Sequence, residues 1–214
     1  MVNALNINEL NKRTTQNYGP DEKRIVGIIL ARYDLPIVQS IIDSCYLYWH
    51  ENTNNYVDFF WAGYGEYLSP TDVTNDKIIL KFDGNDTHVY YDRQAFISIK
   101  KEFNKIFKKT HQDKILKKIY QDKLQLILVN YRDGGLQFDE SILIDLEENL
   151  DSNFTTIREL IEYITFECAN MDNVTDLAKK LRHEHFNDNV RKQIKSIIVS
   201  DVVGIAIGLA GLIL

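Results

Sequence analysis

The segment IVGIILA, residues 25–31, decides the fold that this sequence predicts. It is short, almost entirely apolar and rich in β-branched residues, which is typical of a strand that is buried on both faces. Pro36 then opens a stretch, residues 35–50, whose apolar side chains recur at helical spacing. The aromatic segment 56–64 predicts a second strand. A strand, a helix and a strand in this order indicate a βαβ unit with two parallel, neighbouring strands.

Turn signals and helical periodicity predict the elements that follow. We expect an α/β fold, with α+β as the alternative: a mixed β-sheet that starts with the βαβ unit, carries two hairpins and has helical cover. We expect the sheet to end with the second hairpin, and the chain to end in an apolar C-terminal helix. The hairpins join residues 77–82 to 87–91 and 124–129 to 136–146, and the helices cover residues 93–109, from 153 onward and about 174–185.

Length and composition favour one soluble domain with an appendage. The 214 residues are enough to bury a core without disulfides. The contents of 26% charged and 44% hydrophobic residues are typical of a folded soluble chain. A net charge of −6 does not indicate a nucleic-acid partner. Residues 1–20 lack the apolar region of a secretory signal, so we expect a cytoplasmic protein.

Shifts in composition divide the chain into four parts. Residues 1–24 form a polar N-terminal segment, and residues 25–186 form the α/β globular domain. Residues 187–195 form a basic polar connector, and residues 196–214 form an apolar tail that carries glycines.

The tail is the most distinctive feature of the sequence. Residues 202–214, VVGIAIGLAGLIL, include no polar side chain. As a helix this stretch is about 20 Å long, and about 27 Å if it starts at Ile197, against a hydrocarbon core of about 30 Å. A helix that is apolar on every side has to be covered by lipid or by protein. We therefore expect the tail to enter a membrane conditionally or to be buried in protein.

Small residues in the tail predict close helix packing. Ser200, Gly204 and Gly208 repeat at four-residue intervals and Gly211 follows, so in a helix they form one ridge. Such spacing permits close contact between helices in membranes and indicates a possible homo-oligomer. Asp201 lies beside the ridge, where we expect it at the lipid–water boundary or facing partner helices.

Basic residues precede the tail. Arg191, Lys192 and Lys195 are placed in the sequence where they would favour the anionic inner face of the cytoplasmic membrane. Membrane lipid is therefore the partner that we expect first, and a protein partner is the alternative.

One short glycine pattern suggests a ligand loop. Gly63-Tyr64-Gly65 lies beyond the predicted strand 56–64, and α/β sheets commonly bind ligands past such strand ends. It lacks the third glycine and the helix of a dinucleotide-binding motif, so a packed turn is the alternative. The possible ligand loop comprises Trp61, Gly63, Tyr64, Gly65, Glu66 and Tyr67.

No catalytic, cofactor or metal motif stands out. His183-Glu184-His185 lacks the H-E-x-x-H spacing that turns two histidines toward one zinc ion. The first hypothesis is a cytoplasmic α/β protein with a membrane-active or oligomerising tail. By analogy of architecture alone, that plan suggests a bacterial defence or toxin effector that permeabilises membranes. The alternative is a soluble binding or complex-forming protein with a buried tail, and an enzyme comes third.

Overall fold

A computed structural model describes residues 2–4, 6–42, 56–67, 78–81, 88–110, 113–119, 123–146, 153–183 and 194–200. The strands are β1 Val2–Ala4, β2 Arg24–Leu30, β3 Asp58–Ala62, β4 Tyr64–Tyr67, β5 Ile78–Lys81, β6 His88–Tyr91, β7 Gln125–Arg132, β8 Gly135–Leu146 and β9 Ile194–Val199. The helices are α1 Ile7–Asn17, α2 with described residues 36–42, α3 Arg93–Lys109, α4 Asp113–Leu116, α5 Asn153–Cys168 and α6 Val174–His183.

The strands form a mixed six-stranded sheet and a small antiparallel sheet. The order in the large sheet is β1-β3-β2-β7-β8-β9, and the order in the small sheet is β4-β6-β5. Strand β3 is parallel to both β1 and β2, whereas β7, β8 and β9 are antiparallel to their neighbours. The predicted α/β class and mixed sheet are confirmed, as are the parallel neighbours at the start of the domain.

Strand β2 is buried on both faces. Ile25 and Ile29 pack into one core, which also contains side chains of α2, α5 and α6. Val26, Ile28 and Leu30 pack into a second core, with side chains of α1, α3 and α4. This two-sided cover explains why the strand is an unbroken apolar run and not an alternating one.

The two predicted hairpins are also present. Strands β7 and β8 meet at a two-residue turn, where Asp133 has φ 52° and Gly134 has φ 72°. Two successive positive φ values define the type I′ turn that suits the twist of a hairpin. Strands β5 and β6 pair in antiparallel fashion, while their predicted turn, residues 83–86, lies outside the described residues.

The predicted helices are found at their expected places. Helix α3 matches the predicted range, and the Asp92 side chain caps it by accepting hydrogen bonds from the backbone N–H groups of Gln94 and Ala95. Helices α5 and α6 follow in the order that the periodicity predicts.

The polar N-terminal segment contributes two elements that the sequence did not predict. Strand β1 extends the large sheet beside β3. Helix α1 follows, and its buried residues are Ile7, Leu10 and Thr14. This apolar stripe is too narrow, and β1 is too short, for periodicity to reveal either element.

The C-terminal region departs from the prediction. The sheet does not end with the second hairpin, because β9 pairs along β8 from Leu146 to Ile142. Residues 197–199 are therefore a strand and not the start of a helix, and Lys195 belongs to β9 and not to a connector. The β-branched run in β9 supplies β8 with the second neighbour that a strand inside the sheet requires. The predicted tail beyond Ser200 lies outside the described residues.

The place of β9 in the sheet predicts how truncations behave. A chain that ends after Asp201 keeps the whole described fold, so we expect cooperative urea unfolding close to that of the full chain. A chain that ends after Gln193 lacks β9 and uncovers β8, and we expect it to lose at least about 3 kcal/mol of unfolding free energy. Equal stability of the two truncated chains would show that β9 is not part of the folded core.

Candidate functional site

The predicted ligand loop is a strand, a turn and a second strand. Trp61 lies in β3, Gly63 forms the turn, and Tyr64, Gly65, Glu66 and Tyr67 lie in β4. The side chains of Trp61 and Tyr64 are buried in the core, with ring centroids 5.4 Å apart. The Tyr64 hydroxyl donates a hydrogen bond of 3.1 Å to the Ala31 carbonyl. These two aromatic groups therefore join β3 and β4 to the end of β2.

Close packing accounts for both glycines of the G-x-G pattern. Gly63 has φ +82°, and a Cβ atom there would lie 2.7 Å from Phe96 Cβ at the start of α3. A Cβ on Gly65 would lie 2.3 Å from the Tyr90 hydroxyl in the neighbouring strand. The packed turn, which was the alternative interpretation, is sufficient to explain the pattern.

An aromatic and charged cluster follows the carboxyl ends of β2 and β3. Arg32 Nε donates to Asp34 Oδ1 at 2.9 Å, and this hydrogen bond lowers the pKa of Asp34. The Tyr91 ring lies 6.3 Å from Tyr33 and 5.0 Å from Tyr64. Burial raises the pKa of both Tyr64 and Tyr91 above that of an ordinary tyrosine, because it disfavours the charged phenolate. The burial of these rings and their contacts with one another indicate a packing role.

Ser200 is the last residue of the chain that the structure describes, and it is hydrogen-bonded to the folded domain. It is fully buried, and its backbone N–H donates to the Ser141 carbonyl at 2.8 Å. In return, the Ser141 N–H donates to Ser200 Oγ at 3.2 Å. Ser200 thus follows β9 directly and is hydrogen-bonded to β8, whereas the prediction placed it inside a helix. The remaining residues of that prediction, Asp201, Gly204, Gly208 and Gly211, lie outside the described residues.

Lys195 does not lie beside the part of the tail that follows Ser200, as the prediction required. Lys195 lies in β9 next to Ser196, which pairs with Asp145, whereas Ser200 lies at Ser141. At about 3.3 Å per strand residue, Lys195 and Ser200 are about 16 Å apart. Lys195 therefore lies near the opposite end of β9 from Ser200. Arg191 and Lys192 lie outside the described residues.

The structure contains a polar cleft that sequence reasoning missed. It consists of two cavities of about 540 and 280 Å³ that share Lys23 and Asp172. The larger cavity is also lined by Arg24, Tyr56, Cys168, Ala169, Asn170 and Met171, and the smaller by Asn130, Arg132, Glu140, Asn173 and Thr175.

Asn130 fixes the floor of the smaller cavity. It is 1% exposed, and its Oδ1 accepts a hydrogen bond of 2.7 Å from the backbone N–H of Val174, the first residue of α6. Its Nδ2 donates to Glu140 Oε2 at 2.5 Å, and Arg132 Nη2 donates to Glu140 Oε1 at 2.9 Å. This chain of bonds ties β7, β8 and α6 together, so the polar groups of the cleft are held in place before any ligand arrives.

The cleft lies at the same end of the sheet as Ser200. Ser141 pairs with Val129, which pairs with Val26, and Val26 pairs in turn with Asp58. Asn130 and Arg132 follow Val129 toward this end of the sheet. The cleft residues come from four separated parts of the chain, and no local motif in the sequence connects them.

Cys168, which lines the larger cavity, is poorly suited to act as a nucleophile. Cys168 is 7% exposed, and burial raises the pKa of its thiol to about 12. The thiol is therefore protonated at neutral pH, when the thiolate is the reactive form.

The described residues contain no group of three or more His, Cys, Asp or Glu side chains placed to hold a metal ion. Among the same residues, none of the helices combines the length and apolar character that crossing a membrane requires. Comparisons of the chain with protein-family models, curated proteins and solved structures found no match. Its function has to be inferred from the chemistry of its own residues.

The turn between β3 and β4 predicts a contrast between two glycines. Gly63 and Gly134 both have positive φ, but a Cβ on Gly134 would meet no atom within 4 Å. We expect Gly134→Ala to cost about 1 kcal/mol from backbone strain alone. Gly63→Ala adds a clash with the α3 backbone, so we expect it to cost more than about 3 kcal/mol. Urea unfolding measures both, and equal losses would contradict the close packing at Gly63.

The buried tyrosines predict a loss of stability in alkali. Because burial raises the pKa of Tyr64 well above 10.0, the folded state holds this proton more tightly than the unfolded state does. The contribution of this proton to the unfolding free energy is fully present below about pH 10 and is lost as the pH rises further. We expect Tyr64→Phe to reduce the decline in unfolding free energy between about pH 8 and pH 11. Tyr56→Phe is the control, since Tyr56 is half exposed; an equal effect of both substitutions would contradict the assignment.

Proposed function

We propose that this protein is a cytoplasmic, membrane-associating α/β protein that presents its C-terminal segment, residues 201–214, from the edge of its sheet. One observation carries the proposal: β9 and Ser200 hold the chain in the fold up to the residue before this segment. The folded domain is then the holder of the segment, and the segment makes contact with the inner face of the membrane.

The composition of the segment indicates that its apolar side chains have to be shielded from water by lipid or by protein. Residues 202–214 carry eight valine, isoleucine and leucine side chains and no polar one. Each such side chain gains about 1.5–3 kcal/mol when it leaves water, so the set amounts to on the order of 10–20 kcal/mol. That is comparable to the whole stability of a typical domain, about 5–15 kcal/mol. Stable exposure of this segment to water is therefore unfavourable.

The length of the segment favours shallow insertion or assembly over a permanent span. Because residues 194–199 form β9, only residues 202–214 remain as an unbroken apolar stretch. A helix of that length is about 20 Å long, and a hydrocarbon core is about 30 Å thick. Gly204, Gly208 and Gly211 still share one side of such a helix, which supports contact between copies of the protein within the lipid.

A second candidate is a soluble complex-forming protein whose segment is buried in its own fold or in a partner. The full burial of Ser200 favours it, because the chain approaches the segment through protein and not through solvent. Under this hypothesis the segment completes a core.

Vesicle flotation separates the two candidates. We expect the full chain to float with vesicles that contain anionic lipid, and the chain that ends after Asp201 to stay folded and remain at the bottom of the gradient. If neither chain floats and the truncation at Asp201 alone abolishes folding, the membrane proposal is wrong and the segment is part of a protein core.

Paired substitutions test the contact between copies. We expect Gly204→Leu with Gly208→Leu to keep flotation but to lose chemical cross-linking between copies on vesicles, because leucine prevents close helix approach. The double substitution Ala206→Leu with Ala210→Leu is the control on other positions of the segment. Identical cross-linking in both variants would contradict assembly through the glycines.

A further inference from the structure

The acceptors of the smaller cavity are already engaged. Both carboxylate oxygens of Glu140 accept hydrogen bonds, one from Arg132 and one from Asn130. Oδ1 of Asp172 accepts a hydrogen bond of 3.2 Å from Asn173 Nδ2. The negative groups of the cleft therefore already have donors within the protein.

The donors of the same cavity are not all engaged. Within the described part of the chain, the Lys23 ammonium has no ion pair or hydrogen bond, and Arg132 uses only Nη2. Thr175, the second residue of α6, lines the cavity, and among the described residues no acceptor receives its backbone N–H or its hydroxyl. The neighbouring amides of α6 are bonded, since Val174 N–H donates to Asn130 and Asp176 N–H donates to Asn173.

We propose that this cleft binds a phosphate group, held by Lys23, Arg132 and Thr175. An ammonium, a guanidinium, a hydroxyl and a backbone N–H are the donors that phosphate oxygens prefer, and here they come from three different parts of the fold. The cavity of about 280 Å³ accepts the phosphate, and the adjoining cavity of about 540 Å³ has room for the rest of a small ester beside Tyr56.

The position of the cleft allows two sources for the phosphate. It is either a soluble phosphate ester or the headgroup of a phospholipid, because the cleft and Ser200 lie at the same end of the sheet. Only the lipid source rests on the proposed membrane function, since a soluble ester would bind whether or not the C-terminal segment enters lipid.

Titration of the full chain with inorganic phosphate and with glycerol 3-phosphate tests the site, with amide NMR shifts as the readout and chloride at equal ionic strength as the blank. We expect saturable shifts at Thr175 and Arg132. Lys23→Gln should weaken binding about tenfold, because it removes one charged hydrogen bond. Asp172→Asn should tighten binding, because it removes a negative charge from the lining. Lys101→Gln, an exposed lysine on α3, should leave binding unchanged.

Flotation of full-length variants distinguishes the sources. If a headgroup is bound, Lys23→Gln lowers flotation on phosphatidylglycerol vesicles more than Lys101→Gln does; if both float equally while the NMR effect of Lys23→Gln persists, the ligand is a soluble ester. The absence of saturable phosphate binding, or equal effects of Lys23→Gln and Lys101→Gln on it, overturns the site. That result leaves the membrane proposal to its own test, the loss of flotation on truncation after Asp201.

Discussion

The burial of β2 on both faces is the constraint on which the rest of the structure depends. Each residue from Ile25 to Leu30 is buried, so helices must cover the sheet on both sides. The parallel partner β3 and the antiparallel partner β7 complete the backbone hydrogen bonding of this strand. With both faces covered by apolar side chains, the ends of the sheet are where polar groups are able to converge. The cleft lies at one such end and the aromatic cluster around Tyr91 lies at the other.

The sequence predicted those elements that have a clear period or a clear turn signal. The apolar run at 25–31, the helix over 93–109 and the hairpin that joins 124–129 to 136–146 are strong local signals, and the structure contains all three. Strand β9 was misread because it runs without a break into the apolar tail. An apolar run of that kind does not distinguish a strand from a helix, and only the unfilled edge of β8 decides between them.

The candidate sites show the same limit in a different way. The G-x-G pattern predicts a ligand loop. In the structure, however, Gly63 is packed closely against Phe96 and Gly65 against Tyr90, and both neighbours are distant in sequence. Conversely, Lys23, Asn130, Glu140 and Thr175 have no shared motif, and only the β7–β8 pairing and the position of α6 bring them to one cleft. Long-range packing creates and removes candidate sites, and single-sequence patterns do not contain that information.

Two hydrogen bonds between Ser141 and Ser200 fix the position of the chain directly before residue 201. Because β9 precedes Ser200, Lys195 lies several residues away from the segment beyond Ser200, and Ser200 itself lies at the end of the sheet that carries Lys23 and Arg132. In the proposed membrane function, Lys23 and Arg132 are the basic residues of the described fold that lie at the same end of the sheet as the segment beyond Ser200. The proposed function and the proposed phosphate site therefore concern the same end of the sheet.

Hydrogen exchange of residues 194–200 in the full chain, measured without lipid and with vesicles, tests the central claim most directly. The account predicts slow exchange of these amides in both conditions, with protection similar to that of β8, because they belong to the sheet whether or not the segment beyond Asp201 has a partner. Fast exchange in water that becomes slow only with vesicles would contradict it, since residues 194–200 would then be part of the membrane segment and not of the fold.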